Sequence, residues 1–141
     1  MAVAEVLDLQ RKSYKIESEL IGSEEIPPLK ETFEQLQTCG ETFTGCFIGS
    51  RLAGAVSYKM KEGTIDIHRV MVHPDFFRKG IAVKLLGQIE QKEEGAAALR
   101  VSTGAANIPA VRLYEKLSFE RQEDSIVSGG LRIANFYKQV E

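Results

Sequence analysis

Residues 70–82 read Val70-Met71-Val72-His73-Pro74-Asp75-Phe76-Phe77-Arg78-Lys79-Gly80-Ile81-Ala82. The run opens on apolar, β-branched residues that suit a strand, and Pro74 ends it. From Gly80 the apolar residues Ile81, Ala82, Leu85, Leu86 and Ile89 recur at helical spacing, predicting a helix over 80–94 that Gly95 closes. Such a strand, short loop and helix start brings several unpaired backbone N–H groups and the positive end of a helix dipole to one point. A pyrophosphate is the ligand that geometry fits. Gly80 permits close approach, small Ala82 extends the clearance, and Arg78 and Lys79 add charge at the rim. Alone, the same run is also an ordinary strand-to-helix turn. It is neither a Walker loop nor a dinucleotide fingerprint, since the required glycine spacings are absent.

Upstream lie three short runs rich in β-branched, aromatic and apolar residues, at 42–49, 52–59 and 64–73, with turn chemistry at Gly49-Ser50-Arg51 and Lys61-Glu62-Gly63. They predict an antiparallel meander. In its third strand Asp66, His68, Val70 and Val72 are expected on one side, with Ile65, Ile67, Arg69 and Met71 on the other. Further back, residues 3–20 suggest an amphipathic helix carrying Val3, Val6, Leu7, Tyr14 and Ile16. Ile26-Pro27-Pro28 stops it, and Pro28 suits the first turn of a second helix over 29–37. Glu17, Glu19, Glu24 and Glu25 gather around this helix–loop–helix, either as a solvated acidic rim or as an electronegative mouth for a cationic substrate.

Downstream, residues 96–103 read as a strand and 107–117 as a helix with Ala110, Leu113, Tyr114 and Leu117 on one face. Asn107 is its natural N-cap, with Pro109 in the first turn. Residues 119–123 and 131–139 predict a closing pair of strands around Ser128-Gly129-Gly130. The 141 residues, 43% hydrophobic and 27% charged, fit one α+β domain over 1–141. A formal net charge of −2 and a pI near 5.8 argue against nucleic-acid binding. No apolar run long enough to span a membrane occurs, and the early charges do not suit a signal peptide. Cys39 and Cys46, without CxxC spacing and with only His68 and His73 beside them, imply reduced thiols in a cytoplasm and no metal site. Cys46 lacks a histidine–carboxylate arrangement, so a half-buried strand cysteine is favoured over a nucleophile.

Two segments carry a family resemblance. Residues 77–82 resemble the R/Q-x-x-G-x-G/A motif of the GNAT superfamily of N-acetyltransferases, with Val72-His73-Pro74-Asp75 as its usual lead-in. The run Asn107-Ile108-Pro109-Ala110-Val111-Arg112-Leu113-Tyr114-Glu115-Lys116-Leu117-Ser118-Phe119 is similar to that family's N-x-x-A-x-x-L-Y-x-K-x-G-F motif. One helix and one strand separate them, the family spacing. Phe77 stands where the family has Gln or Arg, with Arg78 available to compensate, and Ser118 stands where it has glycine. The resemblance implies a GNAT fold: a central mixed, mostly antiparallel sheet of six to seven strands, about four flanking helices, and a first strand that is short or missing.

The resemblance also implies acetyl transfer from the cosubstrate acetyl-CoA to a primary amine, by direct attack in a ternary complex. Backbone groups of Val70, Met71 and Val72 would pair with the pantetheine arm, one N–H polarising the thioester carbonyl beside a strand bulge. Amides of Phe77, Arg78, Lys79, Gly80, Ile81, Ala82 and Val83 would hold the pyrophosphate. Asn107 would contact the cosubstrate between two splayed strands, and Tyr114 would lie near the sulfur as the proton donor. Read without the family, Tyr114 is also a core tyrosine. For the base, Asp66 and His68 share a strand face, histidine being the side chain that titrates near neutrality; water relayed by them is the third choice. Ser102 occupies the position where many relatives carry a glutamate. Phe136 and Tyr137 either shape the acceptor pocket or pack the core. Alternative readings are a non-catalytic acyl-CoA-binding regulatory module and a protein N-terminal or lysine acetyltransferase. A homodimer is compatible with the family.

Overall fold

The structure is a computed structural model and describes residues 1–24 and 26–140; Glu25, counted above with the acidic rim, lies outside them. Helix α1 (Val3–Ile21) ends at Gly22 in the left-handed conformation, φ +70°. The apolar face of α1 buries Val6, Leu7, Leu9 and Tyr14. No strand precedes α1 among the described residues. The single helix expected over 29–37 is two, α2 (Pro27–Lys30) and α3 (Phe33–Gln37). The break has a local cause. Thr32 caps α3, accepting from the Gln35 backbone N–H at 3.1 Å while the Gln35 side chain accepts from the Thr32 N–H at 2.9 Å. Glu31, between the helices, is extended and turns its carboxylate to buried Arg69.

Strands β1 (Thr42–Ile48), β2 (Arg51–Lys61) and β3 (Thr64–Val72) form the expected meander. Strand β2 is buried continuously from residue 52 to residue 58, because helices cover both of its faces. Helix α4 (Ile81–Lys92), strand β4 (Ala98–Gly104), helix α5 (Ile108–Lys116), strands β5 (Glu120–Arg121) and β6 (Ser125–Ile126), and strand β7 (Arg132–Gln139) complete the chain. The spatial order is β1-β2-β3-β4-β7-β5, with β6 also on β7, seven strands in all among the described residues. Only β3 and β4 run parallel; the other ladders are antiparallel. This is the mixed, mostly antiparallel sheet of six to seven strands that the resemblance implied.

One register detail corrects the expected alternation. Tyr58 pairs with Ile67 and Ser57 with Arg69, so His68 is an extra residue in β3. A one-residue insertion exchanges the two faces. Before the bulge Ile65 and Ile67 enter the core beneath α4 and α5; after it Val70 and Val72 do so. Met71 enters the opposite core with α1, and Arg69 reaches Gln10 on that helix. Ile65 and Met71 therefore do not share a side, nor do Asp66 and Val70.

Two cores result. The first gathers Val56, Tyr58, Ile65, Leu85, Ile89, Leu99, Tyr114, Phe119 and Phe136; the second holds the α1 face against Leu52, Ala55 and Met71. Gly54 lets α4 approach β2, since a Cβ there would stand 2.6 Å from Ile81 Cγ2 and 2.9 Å from the Met71 carbonyl oxygen. The Tyr58 hydroxyl donates to Glu93 at 2.7 Å, and burial together with that carboxylate pushes the phenol up to about 12.

Candidate active site

Strands β3 and β4 pair only through Thr64–Ala98, Ile65–Leu99 and Asp66–Arg100. Beyond those rungs they part, while residues 101–104 of β4 stay paired with β7 on the other side. The parting leaves one edge of β3 without a strand partner. Val72 N–H points into the gap and donates to Ser13 Oγ on α1 at 3.2 Å, and the Val70 N–H is directed at the Tyr14 hydroxyl. His73 N–H, of the opposite parity, donates to Ala53 on the β2 side at 2.8 Å. Met71 shares that parity, and its carbonyl lies against Gly54 of β2. Of the three residues expected to offer backbone groups to an extended ligand, Val70 and Val72 face the gap and Met71 faces β2.

The gap opens into a cavity of about 820 Å³. Its wall includes Val70 and Val72 on β3, residues 101–104 on β4, Asn107 and Tyr114 of the α5 segment, Tyr14 and Glu17 on α1, and the start of α4. At that start Gly80 adopts φ +70° and caps the helix without a side chain, and Arg78 adopts φ +65°. The first intrahelical bond runs from Lys84 N–H to the Gly80 carbonyl at 3.0 Å, so the amides of Ile81, Ala82 and Val83 have no partner within the helix. Phe77, Arg78, Gly80, Ile81, Ala82 and Val83 all line the cavity; Lys79 is exposed outside it. A helix N-terminus, an unshared strand edge and a channel between them fit the two ends of an acyl-CoA.

Asn107 caps α5, its Oδ1 accepting from Ala110 N–H at 3.3 Å. Its Nδ2 donates to Glu17 Oε1 at 3.2 Å and to Thr103 Oγ1 at 3.3 Å, tying α1 to β4 across the gap. Tyr114 is buried, 5.4 Å from the Phe136 ring and 5.7 Å from the Phe119 ring. Burial pushes its phenol well above the ordinary range, and Tyr14 and Glu17 push the same way. Burial likewise raises Tyr14, with Glu17 adding. Burial also raises the Glu17 carboxyl, against the smaller opposing effect of the Asn107 bond. Two buried phenols and a carboxyl thus share one cavity. Phe136 belongs to the core and Tyr137 is off the cavity wall; Ile133 lines it from β7.

The candidate bases separate. Asp66 is not on the cavity wall. His68 lines it, but Nδ1 lies 3.0 Å from Glu41 Oε2 and Nε2 lies 3.3 Å from Asp66 Oδ2, so both ring nitrogens are turned to carboxylates. Glu41 is in turn held by Ser57 Oγ at 2.6 Å and Arg69 Nε at 2.8 Å. Arg69 also binds Glu31 and, at 2.8 Å, Gln10 Oε1. Hydrogen bonds to Arg69 hold Glu31 below the carboxylate range; at Glu41 burial raises the carboxyl, and the bonds from Arg69 and Ser57 outweigh it to lower it. This knot borders a second cavity of about 780 Å³, which shares Pro28, His68 and Arg69 with the first. Sequence reading placed Tyr14 only among the apolar positions of the first helix and passed over Glu41. A tyrosine and a glutamate three apart on the inner side of α1, Tyr14 and Glu17, are the signal for the first; Glu41 becomes visible only through its contacts.

Comparison with known proteins agrees with this geometry. The Acetyltransferase (GNAT) family model matches residues 3–119. The Bacillus subtilis UPF0157 protein YqkA is 36% identical over 133 residues, covering 94% of this chain and 39% of YqkA. An uncharacterized N-acetyltransferase of the same organism, YvbK, is 32% identical over 98 residues, 67% of this chain and 63% of its own. The chain thus spans less than two thirds of the length of these curated relatives. Among solved structures, the ribosomal-protein-S18-alanine N-acetyltransferase of Escherichia coli superposes with TM-score 0.79 at 14% identity, covering 99% of this chain and 88% of that one. The PaiA N-acetyltransferase of Thermoplasma acidophilum, in complex with coenzyme A, gives TM-score 0.74 at 22% identity, covering 98% and 92%. With its splayed strands, its glycine-capped α4 and 117 of its residues under the family model, this chain belongs to the GNAT acetyltransferase family.

Proposed function

We propose that this protein transfers the acetyl group of acetyl-CoA to a primary amine by direct attack in a ternary complex, residues 1–141 acting as one acetyltransferase domain. The observation that carries the reading is one cavity wall running from the N-terminus of α4, along Val70 and Val72, to Tyr114. In this reading the amides of Ile81, Ala82 and Val83 hold the pyrophosphate, with Arg78 at the rim. The Val70 and Val72 N–H groups, now engaged by Tyr14 and Ser13, are the donors offered to the pantetheine arm and the thioester carbonyl. Tyr114, kept protonated by burial, supplies the proton the departing thiolate needs.

A small amine is the acceptor this shape favours. The second cavity opens beside the first across His68 and Arg69, and the carboxylates of Glu31 and Glu41 line it. An aliphatic amine, with a pKa near ~10, arrives mostly as a cation. The test is thiol release from acetyl-CoA over a panel of small amines and peptides, followed with a thiol reagent. Release with small amines is expected. Tight CoA binding without release for any acceptor would refute the enzymatic reading, and release with peptides alone would replace the small-amine acceptor.

A further inference from the structure

Amine acetylation needs a group that takes a proton from the incoming ammonium, and this inference rests on the acetyl-transfer reading. Among the described residues that line the 820 Å³ cavity, Glu17 is the only carboxylate. The titratable and charged groups turned to the same space are Tyr14 on α1, His68 and Arg69 on β3, Arg78 before α4, and Tyr114 on α5. Tyr14 and Tyr114 are held protonated by burial. Both nitrogens of His68 are turned to Glu41 and Asp66. Arg69 has its donors on Glu31, Glu41 and Gln10. Arginine does not give up its proton in water. Glu17 differs from all of them: Oε1 is positioned by Asn107 Nδ2, while Oε2 makes no hydrogen bond among the described residues.

We propose that Glu17 is the general base of this enzyme, with Asn107 as its positioning residue. The ammonium gives one proton to Glu17 Oε2. The neutral nitrogen attacks the thioester carbonyl carbon, a C–N bond forms and the C–S bond breaks. The thiolate takes the Tyr114 proton, and the proton left on nitrogen returns to the Tyr114 oxygen. Glu17 then releases its proton to solvent, so one ammonium and one thioester give one amide, one thiol and one proton. The carboxylate that many relatives carry on the strand before the motif asparagine stands at Ser102 here, which instead donates to Asn135 Oδ1 at 2.7 Å.

Burial of the Glu17 carboxyl moves it toward the range where a base works at neutral pH. The sign for stability follows. Its folded value lies above its unfolded value, so protonated Glu17 favours the fold at low pH, and that contribution is lost as pH rises through the folded value. Glu17→Gln should therefore leave Tm near wild type at about pH 4 and raise it progressively at neutral pH. This readout needs no ligand and no activity.

The decisive experiment is Glu17→Gln with acetyl-CoA and the best amine of the panel across pH. A glutamine keeps an oxygen for Asn107, so acetyl-CoA affinity should stay within about threefold of wild type. At neutral pH kcat/KM should fall on the order of 10²-fold or more. The deficit should shrink about tenfold per pH unit as the amine deprotonates by itself, up to the amine's own pKa near ~10. A variant with wild-type turnover and an unchanged acidic limb would overturn Glu17 while leaving acetyl transfer intact. A wild type that binds CoA yet releases no thiol would overturn both readings.

Discussion

At Ser118 the backbone carries a penalty that the family's usual glycine would not. Helix α5 ends in a Schellman turn, with Phe119 N–H donating to the Tyr114 carbonyl at 3.0 Å and Ser118 N–H to the Glu115 carbonyl at 3.1 Å. The turn forces Ser118 to φ +73°. Ser118→Gly should therefore stabilise the protein by about 1 kcal/mol, seen as a Tm rise of roughly 3–5 °C by scanning calorimetry. The same turn anchors the backbone of Tyr114, whose ring the aromatic pair Phe119 and Phe136 holds against the cavity. Tyr114→Phe keeps that packing and deletes only the hydroxyl proposed as the acid. Turnover should drop about 10²-fold or more while acetyl-CoA affinity, read by titration calorimetry, stays unchanged. Equal turnover would remove Tyr114 from the chemistry. The motif spelled out Tyr114 in sequence, but Glu17 read there as part of a solvated rim or of an electronegative mouth. The role proposed for it depends on Asn107, 90 residues away.

At the scale of elements, the bulge at His68 decides what β3 presents to each side. It sends Arg69 into the α1 face, where the guanidinium joins α2, α3 and the approach to β1 through Glu31 and Glu41. Arg69→Met takes the shared guanidinium from two half-buried carboxylates and should cost about 1–3 kcal/mol in chemical denaturation. Arg69→Lys should also lose most of the clamp, since an ammonium cannot make the forked contacts. Glu31 and Glu41 lie below their unfolded values. Their stabilisation is present above the ordinary carboxylate range and is lost as pH falls through the folded values, so Arg69→Met should flatten the acid limb of a Tm–pH profile. Strand and helix positions were legible from period and turn chemistry. The family resemblance implied a bulge in this strand but not its place at His68, because an extra residue leaves no mark in an alternating pattern until a partner strand is paired with it. The split between α2 and α3 had a signal in Thr32-x-x-Gln35, outweighed by the continuous apolar spacing of Leu29, Phe33 and Leu36.

For the molecule as a whole, the parted strands leave α1 as a cover over β3 N–H groups that no strand pairs. Ser13, Tyr14 and Glu17 reach into the gap that a CoA arm would enter. Binding that exchanges these contacts should stabilise the fold by mass action. Free acetyl-CoA at 100 times its Kd should add about 2.7 kcal/mol, readable as a concentration-dependent rise in Tm. An unmoved Tm at saturating CoA would deny this cavity to the cosubstrate. What the sequence determined by itself is local and periodic: the strand–glycine–helix turn, the Asn107 cap, the meander, and the family that two spaced motifs imply. These need only neighbouring residues, whose spacing the chain carries. The tertiary structure alone decided the face exchange at His68, the Arg69 clamp, the turning of Met71 to β2, and the meeting of Glu17, Tyr14 and Tyr114. Each depends on strands and helices far apart in sequence arriving at one point, and on burial, which shifts a carboxyl or a phenol only once the neighbours that exclude water are in place.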